Sequence, residues 1–265
     1  MTAARRATQG FTLIELVVVI TVLGVLAGAS AGFLRGPITS YFEAERRTDL
    51  AAAGDLTLAK LRQDIARAVP NSARVINAGG RFWLEVLPVR SQGRYRAAGA
   101  GNVLSFGVPD TGFDVLGPPV QTQAGDWVVV NNHLPAADVW GGTSRAAYTG
   151  PPGLAATLQH AAHVFAADAP DRHFQIATSP VSYACDPTTG TLRRYSNYGN
   201  PGAAQPTAFG PGAQNDLVAT GIQRCRAAEF VGTRRRAQTV AVEIGFFANG
   251  DRLTLADTIQ VETPP

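Results

Sequence analysis

The longest pattern in the chain is an apolar run over residues 11–34, in which Glu15 is the single charged position. At about 1.5 Å rise per residue, a helix over this run would be roughly 36 Å long, enough to cross the hydrocarbon core of a bilayer. Arg5 and Arg6 precede it and no acidic residue lies before Glu15, so the first ten residues are expected to stay cytoplasmic and the bulk of the chain to cross. A carboxylate inside such a span costs on the order of 2–3 kcal/mol on insertion scales, which makes Glu15 a candidate functional residue. Snorkelling to the headgroups is the structural alternative.

Helical periodicity continues to about Val69, with Gly28, Gly32 and Gly36-Pro37 as expected interruptions. Past Pro37 the apolar positions fall on two faces. Ile38, Tyr41, Phe42, Ala52 and Leu56 form one; Leu58, Leu61, Ile65 and Val69 form another, nearly opposite. The second set is expected to cover the sheet of a globular domain, and the first to face solvent or neighbouring helices. Pro70 ends the helix, because the residue before proline avoids the α region.

After Pro70 the spacing changes to two. Phe82-Trp83-Leu84-Glu85-Val86 and Val103-Leu104-Ser105-Phe106 alternate, and Trp127–Val130 is a short apolar run. Residues 181–185 and 191–196 flank Asp186-Pro187-Thr188-Thr189-Gly190, a hairpin-turn composition. Val240, Val242, Ile244 and Phe246 alternate, and Asn249-Gly250-Asp251 turns the chain into a last strand with Leu253, Leu255, Ile259 and Val261. Residues 109–126, 132–153 and 197–215 read as long irregular stretches. The expected class is α+β: a long N-terminal helix packed on an antiparallel sheet head with long loops. The expected divisions are 1–10, 11–34, 35–69 and 70–265.

Composition changes this picture little. The net charge of +3 over 265 residues includes Arg5 and Arg6, so the chain after its tenth residue is close to neutral and nucleic-acid binding gains no support. The two cysteines, Cys185 and Cys225, form an even pair in a chain expected to be exported, which reads as a disulfide, with two buried thiols as the alternative.

The string Gly10-Phe11-Thr12-Leu13-Ile14-Glu15 behind a short basic leader resembles the signal of type IV prepilins and pseudopilins. The resemblance implies cleavage between Gly10 and Phe11 by a prepilin peptidase of the inner membrane and N-methylation of Phe11. It implies assembly roles for Thr12 and Glu15, the glutamate meeting the new amine of a neighbouring subunit. A buried carboxylate needs a buried cation, and cleavage creates one. Ala68-Val69-Pro70-Asn71-Ser72 and the segment from Cys185 to Tyr195 resemble minor prepilins of mannose-sensitive haemagglutinin (MSHA) type. The resemblance does not extend over residues 90–175. It implies other pilins and an inner-membrane assembly platform as partners, a periplasmic head and a place at the pilus tip.

Rival readings are specific. Ala27-Gly28-Ala29 and Ala29-Ser30-Ala31 fit a signal-peptidase site, which would release a soluble protein, but the run is long for a signal peptide and holds Glu15. A minor pseudopilin of a type II secretion system would share the N-terminal helix, and a single-pass adhesin domain is a further possibility. His160 and His163 could share a helix face and a metal, without a third ligand nearby. Arg234-Arg235-Arg236 reads as a solvated turn. No nucleophile elbow, phosphate loop or dinucleotide fingerprint occurs, so neither an enzyme nor a cofactor is expected.

Overall fold

A computed structural model describes residues 10–133, 138–169, 171–231 and 238–261, without the side chains of residue 31 and residues 34–39. The leader before Gly10 and Arg234-Arg235-Arg236 lie outside the described residues. The chain divides into two compact units, Met1–Asp49 and Leu50–Pro265.

Helix α1, Leu13–Ala66, begins in the first unit and ends in the second. The expected interruptions at Gly28, Gly32 and Gly36-Pro37 do not end it; proline removes one ladder hydrogen bond while keeping a helical φ. Its end comes three residues before the expected Val69. There the backbone leaves the helix to pair with a neighbouring segment: Val69 N–H donates to the Leu87 carbonyl at 2.8 Å, and Val89 N–H to the Arg67 carbonyl at 2.9 Å.

In the second unit, α1 is followed by β1 (Arg74–Ala78) and β2 (Arg81–Val86). Next come β3 (Val89–Tyr95), β4 (Asp110–Leu116), β5 (Val120–Thr122), β6 (Trp127–Val130) and β7 (Arg145–Ala147). Then follow β8 (Gly153–Ala155), β9 (Thr157–His163) and β10 (His173–Ala177). The chain finishes with β11 (Val181–Asp186), β12 (Thr191–Ser196), β13 (Gln214–Thr220), β14 (Ile222–Val231), β15 (Gln238–Ala248) and β16 (Asp251–Gln260).

These strands form a five-stranded sheet β1-β2-β11-β12-β13, a six-stranded sheet β7-β6-β10-β3-β4-β9, a three-stranded sheet β14-β15-β16 and a ribbon β5-β8. The named strand pairs are antiparallel, as an α+β class requires. The six-stranded sheet and the ribbon come wholly from residues between β2 and β11. Those two strands are themselves neighbours, with Val86 opposite Val181, so the intervening chain is an insertion whose ends meet.

Two main cores follow from this arrangement. Leu58, Leu61 and Ile65 of α1 are buried with Phe82, Leu84, Tyr183 and Leu192 of the five-stranded sheet and Val240, Ile244 and Phe246 of the three-stranded sheet. The second apolar face of the helix therefore covers the sheets, at about 1.5–3 kcal/mol for each large side chain withdrawn from water. Tyr41, Phe42, Ala52 and Leu56, on the other face, are exposed. Gly54 lets the helix approach closely: a Cβ there would lie 2.5 Å from Leu255 Cδ1. The insertion has its own aromatic core of Tyr95, Phe113, Phe165 and Phe174.

Three expectations are corrected here. Val103–Phe106 is not a strand; Ser105 N–H goes to the Asp110 carboxylate at 2.8 Å and Leu104 N–H to the Arg96 carbonyl at 3.0 Å, leaving only an isolated bridge from Phe106 to Phe165. Residues 109–126 are not irregular, because β4 pairs with β3 and β9 and β5 pairs with β8. Residues 132–153 contain β7, which pairs with β6. The stretch 197–215 stays without regular structure until β13 begins at Gln214.

Candidate functional site

Gly10 and Phe11 precede the helix, and both are exposed, so the peptide bond between them lies outside the hydrogen-bonded ladder. A Cβ on Gly10 would meet nothing within 4 Å. The fold of this chain does not demand glycine at that position.

Thr12 caps the helix. Its Oγ1 accepts the Glu15 N–H at 3.3 Å, and its carbonyl accepts the Leu16 N–H at 3.2 Å. Thr12 and Glu15 thus stand at the first and last places of a capping-box pattern, and the Glu15 carboxylate lies in the first turn, where the helix dipole favours negative charge by about 0.3–1 kcal/mol. The Thr-x-x-Glu spacing of Thr12 and Glu15 is the sequence signal for this cap.

Beyond the cap, Leu13–Ser30 has a mean hydropathy of 2.4 and none of it is buried. Large apolar side chains project on every side of the helix, Leu13, Ile14, Leu16 and Val17 among them. A helix apolar all round is suited to lipid or to the interior of a helix assembly, and not to water. The one hydroxyl near its middle is satisfied internally: Thr21 Oγ1 donates toward the carbonyls of Val17 and Val18. Gly24, Gly28 and Gly32 recur every fourth residue, and a Cβ on any of them would touch nothing.

In the second unit the helix is held by charge as well as by packing. Asp64 accepts from Tyr183 Oη at 2.7 Å and from Arg194 Nε at 2.7 Å, joining α1 to β11 and β12. Burial, and then the Asp64 carboxylate, push the Tyr183 phenol above its ordinary pKa. Arg62 reaches Asp257 of β16 at 2.6 Å. Residues this far apart in the chain leave no local signal.

Cys185 of β11 and Cys225 of β14 are disulfide-bonded and buried, linking the five-stranded sheet to the three-stranded one. His160 and His163 lie on strand β9 and not on a helix, because their segment pairs with β4. Both rings pack on Phe165, and ring nitrogens of each face a backbone carbonyl, of Ala161 and Thr143. Burial pushes the His160 imidazole below its usual pKa.

A family model described as "Prokaryotic N-terminal methylation motif" matches residues 5–31. No curated protein and no solved structure matches the chain. The matched segment contains the Gly10–Phe11 bond, the Thr12 cap and Glu15, and all of the bare apolar stretch Leu13–Ser30. This is a prepilin-type signal, and the helix it opens is the one among the described residues long and apolar enough to cross a membrane; the signal implies processing by prepilin peptidase and association with pilins, and suggests a type IV pilin or pseudopilin-like protein.

Proposed function

We propose that the chain is a minor subunit of a type IV pilus of MSHA type, resembling its O component, and that it acts in starting or capping the filament at the tip. The observation that carries this reading is the bare apolar helix Leu13–Ser30 directly behind an exposed Gly10–Phe11 bond, with Glu15 in its capped first turn. Prepilin peptidase removes residues 1–10 and the new amine of Phe11 is methylated. The helix then passes from the inner membrane into the filament core, where the Glu15 carboxylate pairs with the amine of a neighbouring subunit. The periplasmic head stays outside the core. The function is assembly, with no catalysis.

Intact mass of membrane-extracted protein tests the first step. Loss of residues 1–10 with one added methyl group is expected. A mature terminus after Ala29 or Ala31 would overturn the reading.

A further inference from the structure

The five-stranded sheet has two faces, and α1 packs on only one. Phe82 and Leu84 of β2, Tyr183 and Cys185 of β11, and Leu192 of β12 point into the core beneath the helix. Alternation along each strand then places Trp83, Ala184, Thr191, Arg193 and Tyr195 on the opposite face. Residues 197–213 pass over part of that face as a strap.

The strap is tied down. Arg74 donates to the carbonyls of Gly202, Ala203 and Ala204 at 3.2, 2.6 and 3.3 Å. Gln205 Nε2 donates to the Trp83 carbonyl at 2.9 Å, and Tyr198 Oη to the buried Glu85 carboxylate at 2.7 Å. Phe209 stacks on Tyr195 with ring centroids 4.1 Å apart and planes 14° from parallel. Next to these ties, between residues 207–213 and the sheet, lies a cleft of about 890 Å³, and of the pieces named above Trp83, Tyr195 and Phe209 line it.

The lining has a definite chemistry. Trp83, Tyr195 and Phe209 supply aromatic surface; Thr191 and Asn215 supply hydrogen-bonding groups. Arg81 is already held by Asp186 at 2.9 Å. Arg193 instead donates to Asn215 Oδ1 at 3.0 Å and has no carboxylate partner among the described residues. Its guanidinium remains available for a bidentate contact with an acid.

An extended peptide is a poor match for this place. β2, β11 and β12, the floor of the cleft, are each flanked by strands on both sides, so their backbone groups are used in the sheet; only β13, which brings Asn215 to the wall, is an edge strand. The side chains there offer ring faces, hydroxyls, an amide and the Arg193 guanidinium, with Arg81 and Asp186 paired to each other at the rim of the lining. Sugar rings present C–H faces to aromatic rings and hydroxyls to polar groups.

We propose that the cleft between residues 207–213 and the outer face of β2, β11 and β12 binds a carboxylate-bearing saccharide. Trp83 and the Tyr195–Phe209 pair take the sugar rings, and Arg193 takes the acid. None of the residues lining the cleft belongs to α1, so the proposal goes beyond the reading of the stem.

Calorimetric titration of the full chain in detergent micelles tests it, with trigalacturonate, its methyl ester and triglutamate as probes. Trigalacturonate should bind saturably, and the uncharged ester at least about tenfold more weakly. Arg193→Gln should weaken trigalacturonate by a similar factor. Thr207→Asp, which adds a repelling carboxylate at an exposed position of the wall, should do so with the near-ultraviolet circular dichroism unchanged. No saturable binding of trigalacturonate up to about 10 mM would overturn the proposal. So would equal binding of the ester, undiminished binding by correctly folded Arg193→Gln or Thr207→Asp, or triglutamate binding as tightly as the sugar.

Discussion

At residue scale, Glu15 can be separated into a backbone part and a carboxylate part. The Thr12 cap receives the Glu15 N–H and not its side chain, so alanine at this position keeps that bond. The substitution gives up at most about 1 kcal/mol of helix-dipole stabilisation and removes an insertion cost on the order of 2–3 kcal/mol. Glu15→Ala should therefore be inserted and processed normally. If the carboxylate pairs with a neighbour's amine, the variant should be depleted from sheared filaments; subunit content equal to wild type would count against the pairing. Gly10 and the glycines at 24, 28 and 32 make a related point. Among the described residues no contact requires glycine at these positions.

The elements of the head are joined at a few buried polar and covalent points. Asp64 stands between α1 and the sheet, and removing its carboxylate leaves the buried Tyr183 hydroxyl only the Lys60 carbonyl at 3.4 Å and the Arg194 guanidinium only the Asp216 carboxylate at 3.9 Å. Asp64→Ala should lower stability by about 2–4 kcal/mol, with Asp64→Asn losing less because one oxygen remains. Urea midpoints of the three proteins measure this; equal midpoints would show that apolar packing alone holds the helix end. The disulfide works between sheets. Its cysteines are separated by 40 positions, for which the chain-entropy account gives about 3–4 kcal/mol. Cys185→Ser should shift the unfolding midpoint accordingly and lower abundance in the cell. Alkylation of both thiols in unreduced, folded protein would refute the bond.

For the molecule as a whole, the size of the head bears on where it can be used. Residues 89–177 add a second sheet with its own core, and the strap at 197–213 adds further surface. Such bulk is a steric burden for a unit repeated along a closely stacked shaft and none for one used at an end. Quantitative mass spectrometry of purified pili should find this chain at a small molar fraction of the main pilin, and its deletion should reduce pilus number more than pilus length. Finding it as the dominant pilus protein would contradict a tip role.

The stem was legible from local pattern alone. An unbroken apolar run needs no distant partner to be recognised, and Thr12 and Glu15 act within one helical turn. The hairpin turns at 186–190 and 249–250 were legible for the same reason; Asn249 and Gly250 take positive φ, as a tight turn between β15 and β16 demands. The Leu58, Leu61 and Ile65 face announced that the helix would cover something apolar. What it covers was a matter for the tertiary structure, because β2 and β11 become neighbours only after the chain between them has closed on itself. The same long-range pairing made strands of Asp110–Leu116 and Val120–Thr122, while the Asp110 carboxylate and the Arg96 carbonyl took the backbone N–H groups of Ser105 and Leu104. It also brought Asp64 to Tyr183 and Arg194, and the strap over Trp83 and Arg193. Periodicity reports which side of an element is apolar; it carries no information about which distant backbone will satisfy that element's hydrogen bonds.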